Sequence, residues 1–122
     1  MTRKVAGRMA LVAVMAVGTA LGTAGGAQAA QLKYVALGDS YSAGSGVGPT
    51  ANTWYSGCIQ SARNYPKILA GFLGTTVKDV SCAGAETRHF RETQYRQTGP
   101  QLDAVKSGTD LVTMTIGGND SG

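Results

Sequence analysis

Three short polar segments carry the residue types that acyl-transfer chemistry needs. Ser40 follows Gly38 and Asp39, and a glycine at 38 permits the tight turn that exposes a hydroxyl. A nucleophilic serine requires that exposure. Its own N–H must also be free to meet the negative charge that develops on the attacked carbonyl oxygen. Gly84, in Cys82-Ala83-Gly84, has no side chain and can offer its N–H at close range. Asn119, preceded by Gly117 and Gly118, can offer a side-chain amide to the same oxygen. Each segment taken alone is also an ordinary turn, and the Gly-x-Ser-x-Gly elbow is not met because position 42 is serine. Their joint occurrence, in this order, is what points to ester cleavage by a serine hydroxyl.

The segments that would position these residues can be read from the apolar pattern. Leu32–Leu37 reads as a buried strand that stops at Gly38-Asp39-Ser40. Residues 41–60, with Gly44, Gly46, Gly48, Pro49 and Gly57, are expected to form a long irregular loop. Tyr65–Leu73 places Ile68, Leu69, Phe72 and Leu73 at helical spacing, and Gly74 ends it. Thr75–Ser81 reads as a second strand, running into the turn at 82–84. Residues 86–106 are polar and expected to be partly helical, with a break at Gly99-Pro100. Asp110–Ile116 is the third strand, and it runs into Gly117-Gly118-Asn119-Asp120. Strands alternating with helices predict an α/β fold with a parallel sheet, whose ligands bind beyond the carboxyl ends of the strands. All three polar turns fall at such ends. A strand order of 2-1-3 would leave 110–116 as an apolar edge, so poor solubility or loose packing is expected of the chain by itself.

Charge adds a compartment. The 122 residues hold 11 basic and 7 acidic side chains, for a formal charge of +4. Arg3, Lys4 and Arg8 supply most of that excess, and from Ala30 onward the chain is nearly neutral. Behind those basic residues an apolar run, Met9–Val17, leads through small residues to Ala27-Gln28-Ala29. This is the layout of a secretory signal peptide over residues 1–29, with cleavage expected after Ala29. Gly18, Thr19, Gly22 and Thr23 interrupt the run, which argues against a stable membrane anchor. The charge distribution gives no case for a nucleic-acid partner. Export exposes Cys58 and Cys82 to an oxidising compartment, so the pair reads as a disulfide. Two cysteines and a distant histidine do not make a metal site, and neither metal nor cofactor is expected.

Ala36-Leu37-Gly38-Asp39-Ser40-Tyr41-Ser42, Cys82-Ala83-Gly84-Ala85 and Thr115-Ile116-Gly117-Gly118-Asn119-Asp120 resemble the first three sequence blocks of the SGNH hydrolases. These are also called GDSL esterases and lipases, and the likeness is to their secreted bacterial branch, over about residues 33–122. The resemblance implies a flavodoxin-like, three-layer α/β fold and hydrolysis of carboxylic esters, lipid or short-chain, through an acyl-serine intermediate. It implies Ser40 as nucleophile. The N–H groups of Ser40 and Gly84 and the Asn119 side chain would form the oxyanion hole, and Cys58 and Cys82 would match that branch's first disulfide.

The family's fourth block, Asp-x-x-His, supplies the general base, and it is not present in this chain. The one histidine, His89, falls between the second and third blocks and reads as a residue on a surface helix or loop. The expectation is therefore the N-terminal part of an SGNH esterase domain over residues 30–122, with the C-terminal half missing and no activity by itself. A complete enzyme would be a monomer acting on small-molecule or lipid esters. The alternative is a secreted, non-catalytic binding module that kept the sheet but lost the base. Gly44-Ser45-Gly46-Val47-Gly48 has the glycine content of a phosphate loop, but Pro49-Thr50 stands where lysine and a hydroxyl are needed. Trp54 and Tyr55 have two open readings, as lining for an acyl or alcohol pocket or as packing over the disulfide.

Overall fold

The computed structural model describes residues 30–51 and 55–121. The expected export signal with its cleavage after Ala29, and Trp54, lie outside the described residues. Three parallel strands make one sheet: β1 (Tyr34–Gly38), β2 (Val77–Asp79) and β3 (Leu111–Thr115), in the order β2-β1-β3. Tyr34 pairs with Val77 on one side and Leu111 on the other, so the strands start level and their carboxyl ends lie together. The α/β class, the parallel sheet and its order are those expected from the sequence.

β1 is buried along its whole length because both its faces are covered. Val35 and Leu37 pack with Val80 and Ala104, backed by Phe90 and Val105. Tyr34 and Ala36 pack on the other face with Ala70, backed by Leu69, Val77 and Leu111. Burial on both faces explains the unbroken apolar run, where a strand with one wet face would alternate. Leu37, fully buried, contributes about 1.5–3 kcal/mol by leaving water.

Two helices follow from capping. Asp39 caps α1 (Ser40–Ala43), its carboxylate accepting from the Tyr41 N–H at 3.0 Å. Asn64 caps α2 (Tyr65–Phe72), accepting from Lys67 N–H at 3.3 Å, with Pro66 in the first turn where no N–H is needed. The helix expected at 65–73 is present, but only part of its apolar surface is used. Leu69 and Ala70 face the sheet, whereas Ile68, Phe72 and Leu73 are exposed.

The connections depart from expectation in an ordered direction. The segment beginning at residue 41 starts with α1 and closes on itself through a bridge between Thr50 and Ser61, rather than remaining irregular. Residues 86–106 form two single 3-10 turns, Thr87–Phe90 and Gln101–Ala104, and no α-helix. They lack a continuous apolar stripe, and Gly99-Pro100 divides them, so neither piece is long enough to propagate. The loop before α2 is anchored by a buried carboxylate. Asp79 accepts from Asn64 Nδ2 (2.6 Å), Lys67 Nζ (3.1 Å), Ser81 Oγ (2.6 Å) and Ser81 N–H (3.1 Å). Gln60 donates to the carbonyls of Asp79 and Ser81 at 3.1 and 2.9 Å.

Candidate active site

The three polar turns lie at the carboxyl ends of β1, β2 and β3 and are tied to one another by hydrogen bonds. The first tie joins the serine turn to β3. Asp39 N–H donates to the Thr115 carbonyl at 2.9 Å, and Thr115 N–H donates to Ser42 Oγ at 3.0 Å. The hydroxyls of Ser42 and Thr115 meet at 2.7 Å, and Thr115 Oγ1 donates to Asp39 Oδ1 at 3.2 Å. The approach is close enough that Gly38, at φ +128°, has no room for a side chain: a Cβ there would stand 2.3 Å from the Thr115 carbonyl oxygen. Ser40 itself opens α1, half-buried, and takes no part in that network.

The second tie joins the serine turn to the turn after β2. Gly38 carbonyl accepts from Cys82 N–H at 2.9 Å. It also accepts from Gln101 Nε2 at 2.9 Å, while Gln101 Oε1 accepts the Gly38 N–H at 2.7 Å. One buried side-chain amide thus completes the backbone of β1 beyond the reach of β2. The third tie joins the turn after β2 to the turn after β3. Asn119 Nδ2 donates to the Ala85 carbonyl at 2.8 Å, and Asp120 Oδ1 accepts from Thr87 N–H at 2.7 Å. A primary amide has two N–H bonds, so the Ala85 contact sets the plane of the Asn119 side chain and leaves its second hydrogen to point elsewhere.

Behind this end of the sheet, Cys58 and Cys82 form a disulfide, as the sequence reading expected. Both cysteines are fully buried with Ala85, and Tyr55, Tyr95 and Ile116 pack on them. Tyr55 therefore takes the packing role of its two open readings, its ring 5.1 Å from that of Tyr95. Ala83 N–H donates to the Cys58 carbonyl at 3.0 Å, so the 56–58 segment also braces the turn holding Gly84.

His89 corrects an expectation. It is buried, not at the surface, and its Nδ1 accepts the Glu86 N–H at 2.9 Å, closing the start of the 87–90 turn. Beside it, exposed Arg88 donates to Glu86 at 2.8 Å, which lowers the Glu86 carboxyl and raises the guanidinium from their ordinary values. Ser42, Thr115, Gln101 and Gln94 were not singled out by the sequence reading. Ser42 and Thr115 lie inside quoted segments, while the two glutamines sit in a stretch whose polarity carries no positional signal. A cavity of about 440 Å³ lies at the opposite, amino ends of the strands, against Leu32, Val35, Thr76, Lys78, Ala104 and Lys106.

Comparison with known proteins agrees with this architecture. Residues 36–122 match the GDSL-like Lipase/Acylhydrolase family. Lipase 2 of Streptomyces coelicolor is 49% identical over 118 residues, covering 93% of this chain and 39% of that protein. The crystal structure of phospholipase A1 from Streptomyces albidoflavus superposes with a TM-score of 0.61 at 36% identity, over 76% of this chain and 36% of that one. The extracellular lipase of Streptomyces rimosus superposes with a TM-score of 0.56 at 42% identity, over 74% and 36%. This chain therefore spans well under half the length of the relatives it matches.

Proposed function

Because the chain belongs to the GDSL-like lipase/acylhydrolase family, we propose that it carries the nucleophile and oxyanion-binding half of a secreted serine esterase or lipase. The observation that carries the reading is the hydrogen-bonded union of the three turns at one end of the sheet. In the proposed reaction Ser40 Oγ attacks the carbonyl carbon of a carboxylic ester, lipid or short-chain. The N–H groups of Ser40 and Gly84 and the second amide hydrogen of Asn119 receive the oxyanion, and the alcohol leaves. Water then attacks the acyl-serine and releases the acid. Donors held by a rigid framework stabilise that developing charge without reorganising, and loss of one costs about 10²–10³ in turnover.

The base that takes the Ser40 proton is proposed to come from outside these 122 residues. His89 is the one histidine, and its Nδ1 is already engaged by the Glu86 N–H. Residues 1–122 made alone are accordingly expected to be essentially inactive. Secretion is supported by the layout of residues 1–29, by the buried disulfide and by the extracellular neighbour from S. rimosus. The test is labelling of the complete gene product with a fluorophosphonate, alongside nitrophenyl-ester turnover. Label and turnover are expected to vanish together in Ser40→Ala. Turnover that survives that substitution refutes the assignment.

A further inference from the structure

The Gly84 N–H is useful as an oxyanion donor only if its peptide plane faces the right way, and one side chain hydrogen-bonds to that peptide. Cys82-Ala83-Gly84-Ala85 is a β-turn closed by Ala85 N–H to Cys82 carbonyl at 3.1 Å. Gly84 has φ +75° whereas Ala83 is not among the positive-φ residues, the signature of a type II turn. Type I and type II turns differ by a flip of the central peptide, here the one joining Ala83 to Gly84. A trans peptide points its C=O and N–H in opposite directions. The same flip that turns the Ala83 carbonyl round therefore reverses the Gly84 N–H.

The flanking N–H groups are held, that of Ala83 by the Cys58 carbonyl and that of Ala85 by the Cys82 carbonyl. Neither bond involves the central peptide. Its carbonyl is held by Gln94, whose Nε2 donates to the Ala83 oxygen at 2.7 Å. The same amide makes this contact at a cost. Gln94 Oε1 is buried and has no hydrogen-bond partner among the described residues. An unpaired buried acceptor is unfavourable, and rotating the amide would set Oε1 against the Ala83 oxygen.

We infer that Gln94 is a positioning residue that locks the Ala83–Gly84 peptide in its type II orientation and so aims the Gly84 N–H at the oxyanion. The inference rests on the proposed role of Gly84 and acts through it, without contact between Gln94 and substrate. Gln94→Ala removes the lock. Gln94→Glu keeps the shape but replaces the donor with an acceptor, except where the carboxyl is protonated and can donate again.

The experiment compares the complete gene product with both variants, using nitrophenyl-ester turnover normalised to Ser40 titrated by fluorophosphonate. Normalisation removes any loss of folded protein. The expected result is a fall in kcat per titrated site of about 10- to 100-fold, short of the loss on deleting a donor, with KM changed by less than about threefold. The Gln94→Glu deficit is expected to shrink as pH is lowered. A kcat per titrated site within about twofold of the parent in both variants overturns the inference. Ser40→Ala is run in parallel: turnover that survives it removes the underlying site reading, whereas its loss with unaffected Gln94 variants removes only the role of Gln94.

Discussion

Replacing Gly38 by alanine tests whether the serine turn and β3 are held as closely as the structure requires. At φ +128° a side chain is strained by about 1–3 kcal/mol wherever it points. The new Cβ would also stand 2.3 Å from the Thr115 carbonyl oxygen and 2.4 Å from Ser42 Oγ. Ordinary contact needs β3 to retreat by about 1 Å. That movement breaks the Asp39-to-Thr115 backbone bond and loosens the Ser42–Thr115 pair, at about 1 kcal/mol each. The total is about 3–5 kcal/mol, a large share of the stability of a typical domain. Gly46→Ala is the internal control, because Gly46 also has positive φ (+86°) but nothing within 4 Å of its would-be Cβ. It is expected to cost about 1–2 kcal/mol from backbone strain alone. Urea unfolding of the complete gene product, followed by far-UV circular dichroism, measures both. Equal losses for the two variants would refute the close approach of β3 to Gly38.

Three further outcomes are expected. Cys58→Ser/Cys82→Ser should lower stability by roughly 3.5 kcal/mol on chain entropy for a loop spanning 24 positions, read as a shift in the denaturation midpoint. Tyr34 has its pKa raised, first by burial and against the pull of its 2.7 Å hydrogen bond to Thr113. Its contribution is thus whole below the ordinary tyrosine value near 10 and is lost as pH rises through the folded value. Tyr34→Phe should flatten that alkaline loss and cost about 1 kcal/mol at neutral pH. Met114, half-exposed on edge strand β3, should drive association of residues 30–122 made alone. Met114→Lys is expected to raise the concentration at which light scattering appears by several-fold, and no change would count against the edge as the cause.

Much of the framework was legible in the residues because it depends on local preference. The short apolar run within Leu32–Leu37 reads as a buried strand, and β1 is buried along its whole length. Ile68, Leu69, Phe72 and Leu73 at helical spacing, with Gly74 after them, mark a helix, and α2 forms there. The three glycine-bearing turns could be placed at strand ends because strand and turn residues alternate in the sequence itself. The two cysteines likewise announced a disulfide once the chain was read as exported.

Other features depended on which distant groups meet, and local preference says nothing of that. Gln101 and Gln94 lie in one polar stretch with no periodic pattern, yet one completes β1 at Gly38 and the other holds the Ala83 carbonyl. His89 read as a surface residue until the 87–90 turn buried it. Ile68, Leu69, Phe72 and Leu73 share one helical spacing, but only Leu69 packs with Ala70 against the sheet while the other three are exposed. The sequence alone determined the strands, the helix and the glycine-bearing turns at the strand ends, since each follows from the backbone preferences of neighbouring residues. Only the tertiary structure decided how those turns are locked to one another, because hydrogen bonds between groups tens of residues apart exist only once the sheet has brought them together.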